Sequence, residues 1–177
     1  MSFQRDFRVN GPFSQIAGKL SELEKKIRDL YSRTPLQFVS PITCNMLTRD
    51  PTSVGGGTWT RSISSVQAYC GIFYNSSNAN GDNFSINFYI PTGVYTLRFT
   101  AAKFTNRAIV NVAFDGSSLG NTDLYAAALD ALFVAEYTGI VVSAPGMHTI
   151  TFTANGKNAS SSGFTVNTSE VELIKTG

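Results

Sequence analysis

The chain has 177 residues, 42% of them hydrophobic, which is enough for one domain of ordinary size with its own core. Formal net charge is +2, with seven Lys or Arg against four Asp or Glu in residues 1–34 and seven against eight in the remainder. Neither part has the dense basic face that phosphate neutralisation requires, so no nucleic-acid partner is expected. No run of about 18 apolar residues exists, so no membrane insertion is expected either.

Met1 to Asn10 lacks the hydrophobic segment of a secretory signal, and synthesis in a cytoplasm is the expectation. This segment, MSFQRDFRVN, places Phe3 and Phe7 among Arg5, Asp6 and Arg8. Apolar anchors spaced by charges suit a docking arm, residues 1–11, that orders on a larger assembly; a frayed terminus is the other reading.

From residue 12 the pattern turns helical. Phe13, Ile16, Leu20, Leu23, Ile27 and Leu30 are spaced 3, 4, 3, 4, 3, the a and d positions of a heptad. Asn10, Gly11 and Pro12 supply a cap and a first-turn proline, and Thr34-Pro35 stops the helix, so residues 12–34 form a coiled-coil stalk. Lys19 at g can reach Glu24 at e of a neighbouring chain, and Glu22 with Lys26 is a favourable i,i+4 pair. A stripe confined to a and d suits self-association better than packing of an amphipathic helix on its own domain, and Phe at a favours a homotrimer. So few heptads are marginal alone, and the heads must associate too.

Beyond Pro35, residues 35–177 read as a β head domain. Short runs rich in Val, Ile, Phe, Tyr and Thr are separated by Gly, Asn, Asp and Pro clusters. The expected strands are Leu36 to Ile42, Thr58 to Ser64, Val66 to Tyr74, Asn83 to Ile90, Gly93 to Ala101, Ala108 to Phe114, Ala131 to Tyr137, Ile140 to Ser143, His148 to Ala154 and Phe164 to Ile174. Turns are expected at Pro91-Thr92-Gly93, Asp115-Gly116, Pro145-Gly146 and Asn155-Gly156. Asp123 to Val134, DLYAAALDALFV, is expected to begin as a helical turn or loop and end as strand. The fold class is mainly β, a two-sheet jelly-roll sandwich.

The runs GDNFSINFYIPTGVYTLRFTAAK (Gly81 to Lys103), VNVAFDGSSLG (Val110 to Gly120), TGIVVSAPGMHTITFTANG (Thr138 to Gly156) and VNTSEVELIK (Val166 to Lys175) resemble the strand order of galactose-binding-like jelly rolls, family 6 carbohydrate-binding modules and their relatives being the nearest cases. The resemblance implies sugar stacked on loop aromatics with amides bonding its hydroxyls. Trp59, after Gly55-Gly56-Gly57, and Tyr74 with Asn75, Asn78 and Asn80 are the glycan-binding candidates, with Tyr125 and Tyr137 behind them. The alternative for Trp59 is a place in the core or at the trimer interface. The family's structural calcium needs acidic residues near the first and in the last strand. LQFVS and Ser169 depart from that pattern, leaving only Glu170 and Glu172, so no metal and no cofactor is expected.

Cys44 and Cys70 lack metal-site spacing and read as buried thiols. The Asn-x-Ser/Thr triplets at Asn75, Asn83, Asn158 and Asn167 read as chance in an Asn/Ser/Thr-rich chain. His148 is the one histidine and follows a Pro-Gly turn, and no GxSxG, HExxH or phosphate loop is present. A carboxylate pair for glycoside hydrolysis would have to come from Asp82, Asp115, Asp123, Asp130 or Glu136. The expectation is therefore a protein that binds and does not catalyse.

A trimeric stalk bearing a glycan-binding-like sandwich resembles bacteriophage fibres, head spikes and capsid decoration proteins. That resemblance implies a structural protein of the virion, docked by Phe3, Arg5, Phe7 and Arg8 on a phage capsid or tail protein, with the head facing a host-surface glycan. The alternative is a stand-alone carbohydrate-binding module.

Overall fold

A computed structural model describes Lys19, Glu22, Leu23, Lys26 and residues 41–46, 49–62, 72–75 and 79–177. The chain divides into two compact units, Met1–Phe38 and Val39–Gly177. In the first, Lys19, Glu22, Leu23 and Lys26 are helical and exposed. The other heptad positions, Phe13, Ile16, Leu20, Ile27 and Leu30, and the arm residues Phe3, Arg5, Phe7 and Arg8 lie outside the described residues.

The second unit is a sandwich of antiparallel strands. In chain order these are β1 (Ile42–Asn45), β2 (Ser53–Gly55), β3 (Trp59–Ser62), β4 (Ile72–Asn75), β5 (Asn83–Ile90), β6 (Gly93–Lys103), β7 (Ala108–Phe114), β8 (Ser117–Asp123), β9 (Asp130–Val142), β10 (Gly146–Lys157), β11 (Asn167–Thr168) and β12 (Glu170–Lys175). One sheet has the order β1-β12-β6-β9 and the other β2-β5-β10-β7-β8, with a small third sheet β11-β4-β3.

Alternation builds the core. Phe84, Ile86, Phe88 and Ile90 of β5, Tyr95, Leu97 and Phe99 of β6, Val110 and Val112 of β7, and Ile150 and Phe152 of β10 are all buried, while their neighbours face outward. Phe152 joins the two large sheets, stacked on Phe84 at 4.8 Å and edge-on to Phe99 at 5.3 Å. Burying each such ring stabilises the fold by roughly 1.5–3 kcal/mol relative to leaving it in water.

Three expectations are corrected. Ser117–Asp123, SSLGNTD, is a strand that its polar composition hides. It forms because Asp115 (φ 48°) and Gly116 (φ 80°) make a turn whose twist returns the chain alongside β7. Ala131 to Tyr137 and Ile140 to Ser143 are one strand, β9, with an irregularity between its pairings to Tyr95 and Leu97. Asn155-Gly156 is a bulge inside β10, where the register to β7 shifts and Gly156 takes φ 86°, and not a turn. Of the two readings for the stretch after Asp123, the loop is the one formed; it is pinned by a bridge between Phe104 and Tyr125 and passes into β9 at Asp130. Leu36–Ile42 is reduced to Ile42 among the described residues, and Val66–Tyr74 to Ile72–Tyr74.

Strand directions sort the connections. The links β5–β6, β7–β8 and β9–β10, together with the C-terminus, lie at one end of the sandwich. The segments 56–58, 79–82, 104–107, 124–129 and 158–166 gather at the other, while 46–52 runs alongside β5, where Arg49 and Thr52 bond the Asn87 backbone.

Candidate functional site

The loop-rich end holds the glycan-binding candidates Trp59, Tyr74, Asn75, Asn80 and Tyr125. Trp59 begins β3 and is paired in register with Asn75 of β4, and Tyr74 lies between Thr60 and Asn167. Trp59 is half-buried. Its indole N–H donates to the Gly56 carbonyl at 3.0 Å and its ring stands edge-on to Phe84 at 5.1 Å. The packing alternative thus describes most of this side chain, whose role is to seal the core beneath a glycine loop. Gly56 has φ 70°, and a Cβ there would run into the Asp82 carboxylate, so glycine is required.

Asn80 sits in the adjoining turn, which Asp82 closes by accepting from the Ala79 N–H at 3.1 Å. Its side-chain carbonyl accepts from the Gly156 N–H at 2.7 Å, which ties the turn to the β10 bulge. Asn78 lies outside the described residues.

Beyond the bulge a group of asparagines appears that sequence reading did not single out. Outward-facing residues of the five-stranded sheet form two rows across the strands: Ser53, Ser85, Thr151, Ala113 and Ser118, then Gly55, Asn83, Thr153, Asn111 and Asn121. Neither row holds a charged side chain. The Asn111 amide nitrogen donates to Ser118 at 2.6 Å and to Asn121 at 2.9 Å, and Asn155 donates to the same Asn121 oxygen at 3.3 Å. Asn80, Asn121 and Asn155 are exposed. Among the described residues nothing bonds the amide nitrogens of Asn80 and Asn121 or the side-chain carbonyl of Asn155. They form a fixed set of neutral donors and an acceptor open to solvent.

Towards β9 the rim is closed by Asp123, which accepts from the Tyr125 N–H and the Asn158 side chain, both at 2.8 Å. Tyr125 is half-buried beside the exposed Phe104. Tyr137, by contrast, bonds Thr122 at 2.7 Å and parallels Phe99. Burial raises its hydroxyl pKa, against the lowering effect of the Thr122 bond.

The residues considered for catalysis are spread out, and His148, Asp82, Asp115, Asp123 and Glu136 are each engaged by a partner. His148 Nδ1 lies 2.7 Å from the Asp115 carboxylate and Nε2 lies 3.3 Å from the Ala144 carbonyl, with the ring stacked on Phe114. Among the described residues neither nitrogen faces a hydroxyl or thiol that could serve as a nucleophile. Partial burial pushes the Asp115 carboxyl up, but hydrogen bonds from His148 and the Thr149 N–H, with the His148 charge, outweigh it and hold it below its ordinary value. Glu136 is paired with Arg98 at 2.8 Å. Where the resemblance implies calcium, Ser169 is buried with its hydroxyl 3.3 Å from the Thr100 carbonyl, and Glu172 lies 3.6 Å from Arg98. Among the described residues no group of three or more His, Cys, Asp or Glu could hold a metal. Cys44 is a buried thiol, its pKa raised by burial against the lowering influence of Arg49 and Arg61.

No protein-family model and no curated protein matches the sequence. Solved structures do match the fold. A xanthan lyase from Paenibacillus is similar over 77% of this chain and 13% of its own length, with 18% identity and a TM-score of 0.67. The CBM36-1 domain of a multidomain xylanase from the hindgut metagenome of Trinervitermes trinervoides is covered over 99% of its length, against 78% of this chain, with 16% identity and a TM-score of 0.54. A carbohydrate-binding module CBM36, solved in complex with calcium and xylotriose, is covered over 98% against 74%, with 14% identity and a TM-score of 0.51. The second unit therefore has the jelly-roll fold of carbohydrate-binding modules, with family 36 in place of family 6 among these neighbours.

Proposed function

We propose that the sandwich is a non-catalytic carbohydrate-binding module that recognises a neutral glycan at its loop-rich rim. The observation that carries this is the cluster of Asn80, Asn121 and Asn155, rigidly bonded on one side and exposing unused amide groups on the other. Sugar hydroxyls both donate and accept, and uncharged amides match them without the desolvation cost of burying a charge. Tyr125, half-buried beside the exposed Phe104 at the same end of the sandwich, supplies apolar surface for the sugar ring, while Trp59 packs on Phe84 beneath. The fold shared with modules, one of them solved with xylotriose, supports the same reading.

A stand-alone module accounts for these features without a virion. The appendage reading, with its homotrimer and phage partner, rests on the heptad and the arm before it, and light scattering at the trimeric mass would support it. Calorimetric titration with xylotriose and a panel of neutral oligosaccharides tests the binding reading. Saturable binding of at least one is expected, weakened by changes at the asparagine cluster. No binding across the panel would overturn it.

A further inference from the structure

The outer face of the four-stranded sheet has a different chemistry from the rim. Asn45, Glu170, Thr100 and Val134 stand in one row across β1, β12, β6 and β9, and with Ser169 and Leu132 they line a hollow of about 300 Å³. The next row is Thr43, Glu172, Arg98 and Glu136. Arg98 is ion-paired with Glu136 at 2.8 Å and lies 3.6 Å from Glu172, and with Glu170 in the neighbouring row these two rows hold three carboxylates against one guanidinium.

The edge of this sheet is unusual as well. Of the four outermost strands in the two large sheets, β1 has 4 residues, β2 has 3, and β8 is the polar SSLGNTD. The fourth, β9, runs for 13 residues, carries neither Pro nor Lys, and leaves Leu132 53% and Val134 38% exposed. Soluble proteins normally shorten, bulge or charge such an edge, because its unpaired backbone groups template another strand. β9 has an irregularity opposite Ala101–Lys103 and carboxylates at Asp130 and Glu136, yet still exposes Leu132 and Val134 between them. Among the described residues β9 pairs only with β6, and β8 approaches it through the Thr122 bond to Tyr137, leaving Asp130 to Glu136 as the open stretch.

We propose that this stretch is a docking edge for an extended segment of a partner protein. The segment runs antiparallel to β9, with a basic side chain opposite Glu136 and apolar side chains opposite Val134 and Leu132. Backbone pairing supplies the affinity of such a contact and the alternate side chains its specificity. A second copy of β9 fits poorly. A symmetric pair that sets Leu132 against Val134 also sets Asp130 against Glu136, like charges directly opposite. Shifting the register by one pairing step sets Leu132 against Glu136 or Asp130 against Val134. A basic–apolar strand relieves both conflicts and offsets the carboxylate excess. This contact uses the other sheet and does not depend on the glycan reading.

The test is calorimetry and amide hydrogen exchange on the full chain, with a capped synthetic peptide in which Lys, Val and Leu alternate in that order with Thr. The expected result is saturable binding that slows exchange within 130–136. Replacing the peptide's Lys by Glu weakens binding about tenfold, and the Glu136→Lys chain reverses that preference. Leu132→Lys, at an exposed position, also weakens binding about tenfold with thermal unfolding unchanged. Equal binding of the Lys and Glu peptides, or no slowed exchange, would overturn the proposal. So would slowed exchange at 130–136 that depends on protein concentration alone, which marks a second copy, or slowed exchange there on adding an oligosaccharide.

Discussion

The two outward faces of this sandwich are built on one core yet share almost no chemistry. Behind both lie the same apolar layers, joined where Phe152 meets Phe84 and Phe99. In front, the five-stranded sheet shows Ser, Thr and Asn rows ending in the asparagine cluster, whereas the four-stranded sheet shows carboxylates around Arg98 and an apolar edge. Burial constrains inward positions to fit one another, so they encode the fold. Outward positions are free of that constraint and can encode partners.

The largest expected effect breaks the comparison altogether. Phe152→Ala removes the ring that both sheets share and should cost about 3–5 kcal/mol, read as a large fall in the denaturation midpoint and as loss of binding at either face together. A sharper cut comes from Asn121→Ala, which removes the acceptor shared by Asn111 and Asn155. It should weaken glycan binding about tenfold in calorimetry while leaving peptide binding at the β9 edge unchanged.

Smaller again is Gly156→Ala. No atom lies within 4 Å of the added Cβ, so the cost is the left-handed backbone alone, about 1 kcal/mol in urea unfolding. Because Gly156 orients Asn80, glycan affinity should fall with it. The smallest effect is Asp115→Asn at the opposite end of the sandwich. The folded carboxyl titrates below its unfolded value, so its contribution is present above the unfolded pKa and is lost as pH falls through the folded one. The variant should therefore show a shallower loss of stability between mildly acidic and strongly acidic pH, with binding at both faces unchanged.

How legible these features were depended on where the information resides. Asn83–Ile90 and Ala108–Phe114 emerge with the boundaries read from alternation, because one buried face forces every second residue to be apolar. SSLGNTD was hidden because an edge strand with little buried surface needs no apolar period, although the Asp-Gly turn before it carried a usable signal. Asn155-Gly156 read as a turn because a bulge and a turn ask for the same residues, and only pairing with β7 tells them apart.

The site was legible in part. Asn80 was found through its loop, and Trp59 was found as an aromatic whose packing on Phe84 a sequence does not reveal. Asn111, Asn121 and Asn155 come from three strands, and only the cross-strand register brings them together. The same is true of Glu170, Thr100 and Val134 on the other face.

The most direct measurement is a titration of isotope-labelled protein with xylotriose and related neutral oligosaccharides, following side-chain amide resonances. The account predicts that the Asn80, Asn121 and Asn155 amides shift together and saturate with one affinity while Asn45 stays still. Shifts at Asn45 and the backbone of Thr100 and Glu170, or none at the three asparagines with any sugar, would contradict it.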